Sequence, residues 1–199
     1  MSLARRISIK IVNYMAENNI IPVNEVDFYI YCYEFVLDLL IFNLSVIVLG
    51  FLLGHPLLAL LYIITLTPTK MLAGGAHANS RSMCSIISYT ITLAVLLATQ
   101  ISFHWNDLIL LIIFLLAIIS IIIFSPVETP NKKFPAERKR TLKKYSFFYS
   151  SFLVLLYLIL LYKNFTQYIF LMTLCVIIIA VNQYIGIIIN RKSKEKEIC

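Results

Sequence analysis

The sequence has few charged residues, and its cysteines do not form the pairs that mark cross-linked or zinc-binding proteins. Charged residues make up 14% of the 199 residues, hydrophobic residues make up 60%, and the mean hydropathy is +0.87. This composition excludes an ordinary soluble fold and places the chain in the membrane class. No CxxC or CxxH pair occurs, so we expect no disulfide framework, no metal site and no cofactor. The four cysteines are Cys32, Cys84, Cys175 and Cys199.

The amino-terminal stretch lacks the continuous apolar core and the small-residue cleavage site of a secretory signal, and we expect it to remain in the mature protein. Within residues 1–20 the apolar residues share one helical face and the basic residues lie elsewhere. This pattern predicts an amphipathic helix in the headgroup region of a membrane, although a helix packed on protein would show the same pattern. The apolar face consists of Leu3, Ile7, Ile11, Tyr14 and Met15, and the basic residues are Arg5, Arg6 and Lys10.

Six apolar runs follow this stretch and predict an all-α polytopic membrane protein with about six transmembrane or re-entrant helices. Several runs are shorter than the roughly 20 residues that cross a hydrocarbon core. Pro56 and Pro68 bracket the second run, which predicts a broken or re-entrant span there. We find no internal repeat or low-complexity linker and predict one domain, with a transmembrane region at 36–189 and a cytoplasmic tail at 190–199. The runs lie at about 36–54, 57–69, 86–103, 108–124, 147–162 and 168–189.

The net charge of +7 is better explained by the two sides of a membrane than by a nucleic-acid partner. If the amino terminus lies inside and the chain crosses six times, only Lys163 falls outside, so 16 of the 17 lysines and arginines lie on the cytoplasmic side. We therefore predict a multi-pass protein of the cell membrane with both termini cytoplasmic. The lipid bilayer is its expected surrounding, and no nucleic acid is expected to bind.

The stretch AGGAHANSRSMC, residues 73–84, holds the residues best suited to chemistry. In one straight helix, His77 and Cys84 would share a face but stand about 10.5 Å apart along the axis. That separation is too large for a side-chain hydrogen bond. Gly74 and Gly75 permit backbone angles that other residues avoid, so the sequence allows a bend between the imidazole and the thiol.

A helix beginning after this bend, capped by Ser80 or Ser82, would carry Cys84 in its first turn. There the helix dipole, with Lys70 or Arg81 nearby, would favour the thiolate. A neighbouring imidazole would also take the thiol proton, as in Cys–His nucleophilic catalysis. A small apolar cysteine and an interfacial histidine would show the same spacing, so the spacing alone leaves both interpretations open.

The same stretch resembles the catalytic motif of the AgrB family of membrane-embedded cysteine endopeptidases, in which a glycine pair precedes a histidine and a cysteine follows seven residues later. A second block, SPVETPNKKFPAERKR at 125–140, is similar to the family's Pro-Val-Glu segment with its Asn-Lys and basic stretch. The amphipathic start, the apolar runs and the length also match, so the likeness covers nearly the whole chain. It implies that Cys84 is the nucleophile and His77 the base. At Lys70 we expect arginine to be commoner in the family, and lysine cannot grip a carboxylate in a bidentate manner.

The resemblance further implies a substrate and a reaction. The substrate would be an AgrD-like pro-peptide whose acidic carboxy-terminal tail is removed through a Cys84 acyl-enzyme. The remaining signal segment would then cyclise to a thiolactone or lactone for quorum sensing, and the enzyme is expected to form a homodimer. Basic residues are candidates for binding the acidic tail, although a positive-inside segment explains them equally well. These residues are Lys70, Lys132, Lys133, Arg138 and Arg140.

Two acidic residues near the first span leave a further question open. Glu34 and Asp38 lie four residues apart on one helical face, and a carboxylate deep in a bilayer costs about 2.5 kcal/mol or more without a partner. One of them could orient His77 as the third member of a triad does. The alternative is a pair of interfacial acids that bridge to a lysine.

Two other functions remain open on the sequence. A peptide exporter or small polytopic transporter would suit six apolar runs, but it lacks the paired repeats common in transporters and gives no role to Cys84. A purely structural membrane protein leaves both motifs unexplained.

Overall fold

The described parts of the chain fold into seven α-helices and one short 3-10 helix. The computed structural model describes residues 3–76, 80–101, 106–128 and 134–198, and all side chains in these ranges except those of Arg81 and residues 192–198. Within the described residues there is no strand, which confirms the all-α prediction. The helices are α1 Leu3–Glu17, the 3-10 helix Val23–Glu25, α2 Val26–Leu52, α3 Pro56–Ala73, α4 Arg81–Ala98, α5 Asp107–Phe124, α6 Ala136–Tyr162 and α7 Thr166–Ile198.

Five of the described helices are long and apolar enough to cross a membrane, namely α2, α3, α5, α6 and the Thr166–Arg191 part of α7. The apolar part of α4, Ser82–Ala98, is shorter. The protein is therefore a polytopic membrane protein, as predicted. The helices extend beyond the apolar runs: α6 begins at Ala136, before the predicted run at 147–162, and α7 continues through the predicted tail. Hydropathy marks only the part of a helix that suits hydrocarbon, and alanine, glutamate, lysine and arginine continue a helix into water.

Two compact units make up the chain, residues 1–54 and residues 55–199. In the first unit α1 packs against α2. The buried stripe of α1 consists of Ala4, Ser8 and Val12. The predicted apolar face, represented by Leu3 and Tyr14, remains exposed. The helix thus packs on protein through small residues and still presents an apolar surface. The prediction of a single domain stays a prediction.

In the second unit α7 packs mainly against α5 and α3, and α6 packs against α3, α5 and α7. Phe114 of α5 and Tyr157 of α6 stack with ring centroids 4.0 Å apart, and both side chains are fully buried. Helix α4 has fewer neighbours and contacts α7. A hydrogen bond of 2.8 Å between the hydroxyls of Tyr62 and Thr92 also ties α4 to α3.

Helix α3 contains a proline that does not break it. Pro68 lies inside the helix, and Pro56 occupies one of its first positions, where no backbone N–H is needed. Because proline has no N–H, the carbonyl of Ile64, four residues earlier, loses its usual helical donor. The hydroxyl of Tyr149 in α6 donates to that carbonyl. Of the predicted broken or re-entrant span, the break was therefore wrong, because a neighbouring helix supplies the missing donor, as membrane proteins commonly arrange. Re-entry of this helix stays a prediction.

We predict that the hydrogen bond from Tyr149 matters only because of Pro68. In the parent, Tyr149→Phe should lower the free energy of unfolding by about 0.5–1.5 kcal/mol. In a Pro68→Ala background the same change should have a smaller effect, since residue 68 would then donate to Ile64 itself. Denaturant titration in mixed micelles, followed by circular dichroism, measures both values.

Tyr145→Phe provides the control, because Tyr145 is exposed on the same helix. It should leave the unfolding free energy unchanged in both backgrounds. Equal losses from Tyr149→Phe with and without the proline would contradict the assignment.

Candidate active site

Helix α3 ends at Ala73 and leads into two glycines whose backbone angles other residues rarely adopt. Gly74 has a φ of +71° and Gly75 a φ of +133°. The N–H of Gly74 donates to the carbonyl of Lys70 at 3.2 Å and closes the last turn of the helix. Both glycines lie in the region where a Cβ atom clashes with the backbone, so this turn requires glycine.

The segment that follows α5 supplies hydrogen-bond donors to the last carbonyls of α3. The hydroxyl of Ser125 donates to the carbonyl of Leu72 at 3.0 Å, and the N–H of Val127 donates to the carbonyl of Ala73 at 2.8 Å. Gly74 and Val127 form an isolated parallel bridge. The final carbonyls of a helix lack partners within it, and here a remote segment supplies them. The first residues of the 125–140 block thus contact the start of the 73–84 block.

Helix α7 also forms hydrogen bonds with the residues on both sides of the glycine turn. The side-chain Nε2 of Gln183 donates to the carbonyl of Ala73 at 3.1 Å. The N–H of Ala76 donates to the backbone carbonyl of Asn182 at 3.2 Å. Gln183 is fully buried. Residues 73–76, called the anchor segment below, are therefore fixed to α7 at both ends.

The contacts of the anchor segment are too close for larger residues. A Cβ atom on Gly74 would overlap the carbonyl oxygen of Val127. On Gly75 it would lie 3.1 Å from the Cγ atom of Asn182, and on Gly186 of α7 it would lie 2.9 Å from the N atom of Ala76. Glycine at these three positions allows the anchor segment to approach the backbone at Val127 and helix α7 closely.

Helix α4 places Cys84 at the end of its first turn. Ser80 is extended, with φ −129° and ψ 149°, and its side chain accepts a hydrogen bond of 3.2 Å from the N–H of Met83. The sequence predicted a cap at Ser80 or Ser82, and Ser80 is the cap. The N–H of Cys84 donates to the carbonyl of Ser80 at 3.1 Å. Because Ser80 is extended, no straight helix runs from the anchor segment to Cys84, and the 10.5 Å separation of a continuous helix does not apply.

His77 lies outside the described residues, and so do Lys132 and Lys133. The residues on either side of 77–79 are fixed, because Ala76 is bonded to α7 and Ser80 caps α4. The pairing of His77 with Cys84 stays a prediction. His104 and Cys199 are also outside the described residues, whereas His55 is exposed at the start of α3.

The described cysteines are free and lie in different helices. Cys32 and Cys84 are half-buried in α2 and α4, and Cys175 is fully buried in α7. In the part of the chain that the structure describes, no three histidine, cysteine or acidic residues are grouped so that they could hold a metal ion.

The two candidate carboxylates belong to α2 of the amino-terminal unit. Glu34 is 3% exposed and Asp38 is half-buried. Each makes a polar or electrostatic interaction. A role for either side chain in orienting His77 stays a prediction.

The basic stretch after residue 134 is helical from Ala136, and its Lys139 forms an ion pair with Glu128 outside the helix. Lys139 lies 3.0 Å from the Oε2 atom of Glu128, whose Oε1 atom accepts a hydrogen bond of 3.3 Å from the N–H of Phe134. Arg138 is exposed, with its guanidinium 5.9 Å from the centre of the Phe134 ring. Arg140 is exposed. Lys70 is half-exposed in the last turn of α3, close in sequence to the anchor segment.

Sequence reasoning missed the residues of α7 that contact the anchor segment. Asn182, Gln183 and Gly186 lie within the apolar run at 168–189, and their helix reads as an ordinary span. A signal was present: two adjacent amides inside an apolar run are expensive in hydrocarbon, and a glycine one turn later permits close approach.

Comparison with known proteins gives the same family along most of the chain. The sequence model described as AgrB, accessory gene regulator B, matches residues 8–184. An AgrB-like protein of Clostridium perfringens strain SM101 is 28% identical over 107 residues, which are 51% of this chain and 50% of that protein. AgrB-like protein 2 of C. perfringens strain 13 matches with the same identity and coverage. The chain thus spans about half the length of the curated relatives it matches. No solved structure matches the chain.

We predict that Gly74→Ala is far more damaging than Gly54→Ala, although both glycines have positive φ. Gly54 has a φ of +76° and no heavy atom within 4 Å of a Cβ, so alanine there costs about 1–2 kcal/mol from backbone conformation alone. Alanine at Gly74 must also displace the backbone of Val127, which should raise the cost to about 3 kcal/mol or more. Thermal unfolding in detergent, followed by size-exclusion chromatography, compares the two variants. Equal losses would show that only φ matters at Gly74 and that the contact with Val127 carries no stability.

Proposed function

The chain belongs to the accessory gene regulator B family, and we propose that it is a membrane-embedded cysteine endopeptidase that processes an AgrD-like pro-peptide. The enzyme removes the carboxy-terminal tail of the precursor through a Cys84 acyl-enzyme. It then allows the signal segment to cyclise to a thiolactone or lactone for quorum sensing. Family membership suggests the reaction, and the arrangement around Cys84 supports it.

The observation that carries the proposal is the position of Cys84 in the first turn of α4, shortly after a backbone segment that is hydrogen-bonded to other elements. The anchor segment is bonded to α7 and to the 125–127 segment, and Ser80 then begins α4. A nucleophile and its base require fixed relative positions, which a backbone bonded on both sides can provide. Cys84 is half-buried and is not engaged in a disulfide, so its thiol is available as a nucleophile.

The proposed reaction begins when His77 accepts the proton of the Cys84 thiol. The thiolate attacks the carbonyl carbon at the junction of the signal segment and the tail, and a carbon–sulfur bond forms. The peptide C–N bond then breaks, and His77 gives its proton to the leaving amine of the tail. A thiol or hydroxyl within the signal segment attacks the resulting thioester, closes the ring and releases Cys84.

Cyclisation competes with hydrolysis of the thioester, so the site has to limit the access of water. The residues around Cys84 on α4 are a mixture of serines and apolar residues, and the apolar Met83, Ile86 and Ile87 are exposed to the surroundings of the helix. In a membrane those surroundings are lipid or a bound peptide. This environment favours attack by a group that is already held near the thioester.

The basic residues of α6 support recognition of the acidic tail. Arg138 and Arg140 are exposed in the first turns of α6, whereas Lys139 is engaged with Glu128. We propose that these arginines, together with Lys132, Lys133 and Lys70, attract the tail, and that two copies of the chain form a homodimer. The active site and both termini would be cytoplasmic, because that arrangement places 16 of the 17 basic residues inside.

We predict that Cys84→Ala abolishes removal of the precursor tail and leaves the protein folded in the membrane. Cys84→Ser should also be inactive, because a serine hydroxyl is a poorer nucleophile with the same base. Cys32→Ala is the matched control, since Cys32 is a free and half-buried thiol in another helix, and it should cleave normally. Co-expression with the precursor and gel analysis of the products measures the effect.

Continued tail removal by Cys84→Ala would rule out Cys84 as the nucleophile and with it the proposed function. A protein whose only cysteine is Cys84 also tests the side of the membrane. An impermeant maleimide should label it only after the cells are opened, and labelling of intact cells would place the thiol outside.

We predict different effects from neutralising neighbouring basic residues. Arg138→Gln combined with Arg140→Gln should raise KM on the order of fivefold with little change in kcat, because exposed charges contribute modest binding energy remote from the reacting carbonyl. Lys139→Gln, in the same helix turn, should mainly affect stability, since its ammonium is paired with Glu128.

Initial rates in proteoliposomes at two salt concentrations measure these effects, because salt should weaken the parent but hardly alter the double variant. If the KM of the parent protein is the same at both salt concentrations, the arginines do not attract the tail.

A further inference from the structure

Gln183 is a buried polar residue in the last span to which the proposed reaction assigns no role. Its side chain is fully buried, and its Nε2 atom donates to the carbonyl of Ala73 at 3.1 Å. Its Oε1 atom has no hydrogen-bond partner among the described residues. The two polar atoms of the side-chain amide therefore differ: Nε2 is bonded to the anchor segment, and Oε1 is a buried acceptor without a partner among the described residues.

The stability of the helix bundle gives no reason for an amide at this position. An unpaired buried acceptor costs about 1–3 kcal/mol, and the cost is not smaller in a low dielectric. The carbonyl of Ala73 already accepts a hydrogen bond of 2.8 Å from Val127, so it would remain paired without Gln183. An apolar residue of similar size, such as methionine, would fill the space without the unpaired oxygen. A residue that costs stability without a structural need is a candidate for function.

The location of Gln183 indicates what that function is. Asn182 bonds to Ala76 through its backbone carbonyl, and Gly186 gives Ala76 the space to approach α7. Ala73 and Ala76 thus contact one turn of α7, and the two glycines, 74 and 75, lie between them in the chain. The glycines have no side chains with which to fix their own conformation, so their geometry depends on partners outside the segment.

We propose that Gln183 is a positioning residue for the Cys84 reaction, acting through the anchor segment from which the chain continues to His77. The amide fixes the Ala73 carbonyl in direction, which the Val127 bond alone does not do. The inference rests on the proposed function. It assigns to the last span a direct influence on the chemistry at the start of α4.

The test separates positioning from stability. Gln183→Met should lower kcat about a hundredfold, because small displacements of catalytic groups have effects of this size. KM should stay within about twofold, since substrate contacts are not removed. The unfolding free energy should be equal to or higher than that of the parent, because the unpaired acceptor is gone. Tail removal in proteoliposomes and denaturant unfolding of the same preparations give these quantities.

Thr173→Val is the matched control. Thr173 is a buried polar residue of α7, bonded to the carbonyl of Ile169 at 2.9 Å and distant in sequence from the anchor contacts. This variant should keep the parent kcat. A Gln183→Met protein with the parent kcat would overturn the proposal. A kcat lost in both variants in proportion to the unfolded fraction would also overturn it.

A second measurement does not require the precursor. In a protein whose only cysteine is Cys84, Gln183→Met should slow alkylation by neutral iodoacetamide at pH 7 to the rate found for His77→Ala. An unchanged alkylation rate would contradict positioning. Cleavage that survives in Cys84→Ala would instead remove the proposed function, and the two failures are therefore distinguishable.

Discussion

The position of the anchor segment in the second unit depends on one backbone carbonyl, that of Ala73. It accepts hydrogen bonds from the N–H of Val127 and from the Nε2 atom of Gln183, and so joins the end of α3 to the segment after α5 and to α7. Away from water, an unpaired carbonyl at a helix end is costly, and every bond that satisfies it also fixes a neighbouring element. The glycine turn, the bridge to Val127 and the approach of Ala76 to α7 all follow from this arrangement.

The helices were largely predictable, because lipid demands long apolar segments and each predicted run lies mainly within one helix. The errors have identifiable causes. Hydropathy did not show that α6 begins at Ala136, since the basic residues there form a helix in a polar environment. It also could not show that α3 passes through Pro68, because the donor that replaces the missing N–H is the hydroxyl of Tyr149 on another helix. A local pattern cannot contain a partner 85 residues away.

The sequence predicted single features of the site, but it did not predict which remote residues contact each other there. Local signals limited the cap to Ser80 or Ser82 and predicted the first-turn position of Cys84, because capping depends on neighbouring residues, and the structure has the cap at Ser80. The two sequence blocks were recognised separately, and nothing in either block shows that Val127 pairs with Gly74. Glu128 likewise belongs to a motif, yet its engagement with Lys139 depends on where α6 begins. Gln183 was hidden by its apolar neighbours, although an amide at that depth is itself a signal.

The remote caps of α3 also set an order of events during synthesis. The ribosome makes the thiol at residue 84 before Ser125 and Val127, and Gln183 is made 110 residues after Ala73. A nascent chain therefore carries the sulfur through most of translation without the bonds that hold the backbone before it. The hydrogen bonds to the anchor segment are complete only when the last span has been inserted. For the proposed endopeptidase, this timing would leave the thiol without its positioned backbone while the rest of the same polypeptide passes close to it.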